Sequence, residues 1–216
     1  MKSFAIIGLG LFGTQLARDL YDAGHSVLAI DSDSERVENI ADYVTQAVSL
    51  DAKNRELLSQ VGIQKYDCVV MSITSDLATS VLITMNLKAL GVPQIICKVQ
   101  NETDQEILET LGASYCLIPE HIAANKMAKK LTSRNIIDFT QLSDEYSIME
   151  LTVPASWIGK SIIEINVRVH YGVNVIGKRS AGHLEVNFDP KMPLEADDEL
   201  IVIGSNRDLD KLQKLK

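Results

Sequence analysis

Three glycines near the start of the chain, Gly8, Gly10 and Gly13, stand in the spacing G-x-G-x-x-G within "FAIIGLGLFGTQLA". An apolar run precedes them and a helix-like stretch follows, the setting in which such glycines hold a phosphate. The first allows a tight turn, the second lets a phosphate approach the backbone, and the third lets the helix pack closely on the strand. Amides at the helix N-terminus then point at the anion, and the helix dipole favours its charge. Asp31, closing "SVLAID", lies at the downstream distance of an acid that accepts hydrogen bonds from a ribose hydroxyl pair. An acid there repels a 2′-phosphate, so NAD(H), ATP, ADP or AMP fit better than NADP. The plainer alternative is a glycine turn with Asp31 as a helix cap and no ligand. Asp51 either faces an adenine or caps a helix beginning near Asn54.

Catalytic groups are sparse. An oxidoreductase of this kind, the competing reading, needs a positioned acid or base beside its nicotinamide. The four histidines, His25, His121, His170 and His183, fall in a helix-to-strand turn, at the start of a late helix and in the C-terminal part. Ser-His-Asp, HExxH and Walker-type motifs do not occur in the sequence. The expectation is a binding protein and not an enzyme.

The elements that must position these residues alternate. Short apolar runs at "SFAIIGL", "SVLAID", "VTQAVSL", "DCVVMSIT", "QIICKV" and "SYCLIP" read as buried parallel strands. Helical spacing occupies Leu11 to Ala23, Ser34 to Ala41, Asn54 to Val61, Asp76 to Leu90 and Asp104 to Leu111. That rhythm predicts a doubly wound α/β domain of the Rossmann type. A further helix, "EHIAANKMAKKLTSR", carries a stripe of Ile122, Ala123, Met127, Ala128 and Leu131. It either covers the sheet edge or crosses to a second subunit. Beyond it, "SIMELTV", "VNVIGKR", "HLEVNF" and "DELIVIG" read as strands, with short helices at "KSIIEIN" and "NRDLDKLQKLK", which predicts a smaller α+β lobe. The expected division is residues 1–134, a linker at 135–143 and a C-terminal lobe at 144–216.

Composition bounds the possibilities. The chain has 216 residues, 46% of them hydrophobic and 23% charged, with a formal net charge of -8. No apolar run approaches the ~20 residues needed to cross a bilayer, and "MKSFAIIGLG" lacks the features of a signal peptide. The expectation is a cytoplasmic protein that reaches a membrane only through a partner. The acidic balance disfavours nucleic acid. Cys68, Cys97 and Cys116 each sit in an apolar run without C-x-x-C spacing and read as buried thiols.

The sequence resembles the RCK (regulator of K+ conductance) proteins of the KtrA and TrkA type. "GLGLFG", Asp31, "PQIICKVQN", "IPE", "LSDEYSIMEL" and "KSIIEINVRVHYGVNVIGKR" carry the likeness over nearly the whole chain. It implies a Rossmann-like N-terminal domain, a C-terminal RCK lobe, and dimers joined through the crossover helix into an octameric ring. The partner implied is a membrane K+ transporting subunit of the KtrB/TrkH type. The ligands implied are ATP/ADP or NAD(H) at Gly8, Gly10, Leu11, Phe12, Gly13, Asp31, Ser32, Asp51, Ala52, Ser72, Ile73 and Lys98. Glu120 would help hold Mg2+ or another cation beside the phosphates. Cyclic di-AMP would bind at Ile162, Ile163, Arg168, His170, Asn174, Val175 and Pro190 on a twofold interface. The family usually carries arginine where this chain has Leu11.

Overall fold

A computed structural model describes residues 1–73, 76–132, 136–212 and 214–215. The chain divides into two compact units, Met1–Pro119 and Glu120–Lys216. The first is a parallel sheet in the order β3-β2-β1-β4-β5-β6. Its strands are β1 (Ser3–Ile7), β2 (Ser26–Asp31), β3 (Gln46–Ser49), β4 (Cys68–Met71), β5 (Ile95–Lys98) and β6 (Tyr115–Leu117). Between them run α1 (Leu11–Asp22), α2 (Ser34–Ile40), α3 (Arg55–Gln60), α4 (Leu77–Ala89) and α5 (Glu102–Leu111).

Alternation along each strand feeds two cores. Ala5, Ile7, Leu28, Ile30, Val69 and Met71 pack with Leu58, Ile83, Leu87 and Leu108 from α3, α4 and α5. Ile6, Val27, Ala29, Cys68 and Val70 pack on the other face with Ala17, Val37 and Ile40 from α1 and α2. Burial of both faces is why these strands read as continuous apolar runs. The three cysteines are free and buried. Burial pushes the Cys68 thiol up to about 11 and the Cys116 thiol to about 12. Such thiols are unreactive at neutral pH.

Strand order reverses between β1 and β4, which are hydrogen-bonded neighbours with Ile7 opposite Met71. Crossovers leave β1 and β4 toward opposite sides there, and a crevice opens beyond their C-terminal ends.

The second unit begins with α6 (Pro119–Thr132) and contains an antiparallel sheet ordered β10-β9-β11-β8-β7. Its strands are β7 (Ile136–Gln141), β8 (Tyr146–Thr152), β9 (Asn174–Ser180), β10 (His183–Glu185) and β11 (Glu199–Ser205). Helices α7 (Ile162–Ile165), α8 (Val167–Tyr171) and α9 (Asn206–Leu212) complete it. Trp157, Met149, Leu151, Val173, Leu200, Val202 and Leu209 form its core.

Two features of the structure bear on the expected division. Residues 136–141 of the expected linker form a strand, β7, paired with β8 from Ile136 opposite Leu151 to Gln141 opposite Ser147. The exit helix groups with the second unit, and Lys126 of α6 pairs with Asp138 of β7 at 2.8 Å. Ser133 and Arg134, the end of that expected helix, lie outside the described residues, as do Thr74 and the C-terminal Lys216. Helix α8 is an addition to the expected elements: the β-branched residues of "VRVHY" disguise it.

Candidate functional site

The crevice above β1 and β4 is a cleft of about 570 Å³, within the usual range for small-molecule sites. Gly8, with φ at +96°, turns the chain out of β1. A side chain there would press on Ile73 Cγ1 at 2.8 Å. Gly13 lies against the Gly8 carbonyl, and a Cβ would overlap that oxygen. Gly10 is different, because a Cβ there would meet nothing within 4 Å. The first and third glycines are required by the protein's own packing; the second faces open space in the cleft.

Helix α1 starts at that space. Its N-cap is Gly10, with no side-chain cap and no acid in the first turn. The next four helices are capped by Asp33, Asn54, Asp76 and Asn101, whose side chains accept first-turn backbone N–H groups. The first-turn amides of α1 therefore stay available to an anion, which the helix dipole also favours.

Asp31 is buried and its carboxylate ties the site together. Oδ2 accepts the Leu9 N–H at 2.6 Å and Oδ1 accepts the Asp33 N–H at 3.0 Å. Each carboxylate oxygen accepts about two hydrogen bonds; Oδ1 keeps a position for a ribose hydroxyl, while Oδ2 also faces Arg36 Nη1 at 3.6 Å. Asp31 does not cap α2; Asp33 does. Asp51 likewise does not cap α3, a role taken by Asn54. Asp51 lines the cleft, accepting the Lys53 N–H at 3.0 Å and pairing with Lys53 Nζ at 3.6 Å.

The second unit holds an open cleft of about 340 Å³ lined by Ile162, Ile163, Asn166, Val167, Arg168, Val173, Asn174 and Val175. Ser161 starts α7 with a capping box: Ser161 N–H donates to Glu164 Oε2 at 2.8 Å and Glu164 N–H donates to Ser161 Oγ at 3.2 Å. Asn166 then takes a left-handed conformation, φ 49°, which breaks the chain between α7 and α8. Asparagine tolerates that conformation better than most residues. The break brings the isoleucines of α7 and Arg168 of α8 to one cleft with Asn174 and Val175 of β9.

The first unit matches the TrkA-N domain model over residues 4–119, and the second matches the TrkA-C domain model over residues 148–216. The chain is a KtrA/TrkA-type RCK protein. It is 35% identical to the Ktr system potassium uptake protein A of Bacillus subtilis, over 98% of this chain and 96% of that one. It is 32% identical to the Ktr system potassium uptake protein C of the same organism, over 99% and 96%. The solved GsuK RCK domain shares the fold, with a TM-score of 0.67 at 18% identity. That likeness covers 99% of this chain, which spans about half, 47%, of the solved chain.

In this RCK protein the N-terminal cleft gathers Gly8, Gly10, Asp31, Ser32, Asp51, Ala52, Ser72 and Ile73 from the expected nucleotide residues. Gly13 supports the turn from below. Leu11 and Phe12 are not among the lining residues: Leu11 opens α1 with 97% exposure, and the Phe12 ring lies 5.9 Å from Lys98 Nζ. Lys98 lines a small adjoining cavity with Asp76 and Asp104. Glu120 is an exposed first-turn acid of α6. Among the described residues no three His, Cys, Asp or Glu side chains converge as a metal site, so a cation at Glu120 would need ligands from phosphates or another chain.

In the second unit His170 is displaced from the expected ligand residues. It lines a separate cavity with Trp157, Lys160 and Tyr171, and its Nδ1 lies 2.9 Å from the Ile165 carbonyl. Pro190 is not a lining residue either; its carbonyl accepts the Ile163 N–H at 3.3 Å. Sequence reasoning missed Arg36, Lys53, Asp76 and Thr79 in the first cleft and Asn166 in the second. Asp76 had a signal, since an Asp directly before the helical run of α4 reads as its N-cap. Arg36 had none, because a third-position helical arginine is usually a solvated charge.

Proposed function

We propose that this RCK protein is a non-enzymatic regulatory subunit of a K+ uptake system, acting through a membrane-embedded transporting subunit of the KtrB/TrkH type. Full-length relatedness to the Ktr potassium uptake proteins carries this reading. An adenine nucleotide, ATP/ADP or NAD(H), occupies the N-terminal cleft, with its phosphates over Gly10 and its ribose on Asp31. The uncapped start of α1 and the Asp31 carboxylate held at the glycine turn support this assignment. Cyclic di-AMP is the ligand of the second unit, with Arg168 on a phosphate and Ile162, Ile163 and Val175 around adenine. A twofold ligand matches one open half-site from each of two copies.

Regulation requires each ligand to bind two states of the assembly with different affinity. The states are geometries of an octameric ring of dimers at the cytoplasmic face of the membrane. Calorimetry of the whole protein with adenine nucleotides and cyclic di-AMP, combined with light scattering after size exclusion, tests the reading. Binding of both ligand classes to a ring-forming oligomer is expected. A monomer under every ligand condition would overturn it.

A further inference from the structure

The cavity beside Trp157 in the second unit has a volume of about 450 Å³, within the size range of small-molecule sites. The turn Ala155–Trp157 and helices α7 and α8 supply its lining. One wall is aromatic: Trp157 is buried, and its ring meets that of Tyr171 with centroids 5.2 Å apart and planes tilted by 56°. His170 stands at 87° to Tyr171, with centroids 6.4 Å apart. Ile165 of α7 adds an apolar side.

The polar side chains of this lining divide into donors and acceptors. Lys160 Nζ donates to the Ser156 carbonyl at 2.9 Å, and an ammonium has further protons to give. The Tyr171 hydroxyl accepts the Trp157 indole N–H at 3.5 Å and keeps its own proton for another partner. Glu164 Oε2 accepts both the Ser161 N–H and the Ser161 hydroxyl at 2.8 Å, while Oε1 takes no hydrogen bond among the described residues. The bonds from Ser161, aided by the charge of Lys160, hold the Glu164 carboxyl below its ordinary range, so it is ionised at neutral pH. His170 Nδ1 lies 2.9 Å from the Ile165 carbonyl. A carbonyl only accepts, so the proton sits on Nδ1 and Nε2 is left as an acceptor. Lys160 and Glu164 form no ion pair among the described residues; each is held by its own neighbour, Ser156 or Ser161. The two opposite charges therefore stay separate at one cavity.

We propose that this cavity is a binding site for a free α-amino acid with an apolar side chain. The α-carboxylate takes the two donors, Lys160 and Tyr171, and the α-ammonium takes the two acceptors, Glu164 and His170. The side chain lies along Ile165 and the aromatic wall. A zwitterion satisfies both fixed charges at once, whereas a simple anion is repelled by Glu164 and a simple cation by Lys160. The site is separate from the isoleucine cleft, which Lys160, Glu164 and Tyr171 do not line.

The test is calorimetric titration of the full-length protein with L-leucine, L-methionine and L-phenylalanine, each beside its amide and its deaminated acid, which lack one of the two charges. At least one of the amino acids is expected to bind with a millimolar Kd or tighter. Its amide and its deaminated acid are each expected to bind at least about tenfold more weakly, the scale of a hydrogen bond to a charged group. Glu164→Gln keeps the capping box, which accepts either residue, and Lys160→Met keeps an unbranched stem; each is expected to weaken the amino acid at least about tenfold. Failure of all three amino acids to bind would overturn the proposal. Equally tight binding of either singly charged analogue, or undiminished affinity in either variant, would overturn it too.

Discussion

The carboxylate of Asp31, at the end of β2, accepts the backbone N–H of Leu9 in the glycine turn at 2.6 Å. The acid that a ribose requires is thus also the acid that fixes the phosphate turn, so binding determinant and local fold are coupled. Asp31→Ala strands a buried N–H and is expected to cost about 2 kcal/mol of stability. It is also expected to lower adenine-nucleotide affinity at least about tenfold. Urea denaturation and calorimetry read the two effects, and unchanged nucleotide affinity would remove Asp31 from the site.

The second and third glycines separate ligand binding from folding. Gly10→Ala meets open space and has an ordinary extended backbone, φ -71°, so the variant is expected to fold with near-native stability and lose nucleotide. Gly13→Ala drives a methyl group into the Gly8 carbonyl. A loss of about 3 kcal/mol or more is expected there, in the range of severe overpacking. Circular dichroism melts beside a binding isotherm distinguish the two, and normal nucleotide binding by Gly10→Ala would contradict the phosphate position.

In the second cleft Arg168 and Asn174 are polar groups among apolar ones. Arg168→Ala is expected to weaken cyclic di-AMP binding at least about tenfold, since it removes a charge-assisted contact with phosphate. Nucleotide binding at the first cleft should stay unchanged. His170→Ala, at the separate cavity beside Trp157 and Tyr171, should alter cyclic di-AMP affinity less than about twofold. A calorimetric comparison of the two variants checks the assignment, and a larger effect from His170 would reverse it.

Several carboxylates hold their charge more firmly in the fold than outside it. Ser3 N–H lowers the Asp67 value, the Thr79 hydroxyl and N–H lower Asp76, and Ser161 N–H lowers Glu164. For Asp198 burial opposes ionisation, but bonds from Glu195 N–H, the Ser180 hydroxyl and Lys178 outweigh it. Depressed values mean stability that is complete above the unfolded carboxylate range, roughly pH 4, and lost as pH falls through the folded values. The melting temperature is therefore expected to fall progressively below about pH 4, with little contribution from these groups between pH 5 and 8. A scan of melting temperature against pH measures it, and Asp198→Asn should flatten the acid limb.

The alternation of apolar runs and helical spacing in residues 1–119, with glycines at the first junction and an acid ending the second strand, was enough to specify a doubly wound sheet and the location of its crevice. Those signals are local: a strand buried on both faces must be apolar throughout, and a turn that cannot accept a Cβ must be glycine. What only the tertiary structure decided were relationships between distant side chains of ordinary type. Arg36 is a plain surface arginine until β2 and α2 place it between Asp31 and Asp33. Asp51 could have been a cap until Asn54 took that role and left it facing the cleft. Residues 136–141, Ile-Ile-Asp-Phe-Thr-Gln, became a strand only through pairing with β8, which places β7 at the edge of the second sheet. Arg168 and His170, two positions apart in "VRVHY", were alike in sequence. The left-handed turn at Asn166 fixed how α8 sits, and with it which residue joins the isoleucine cleft.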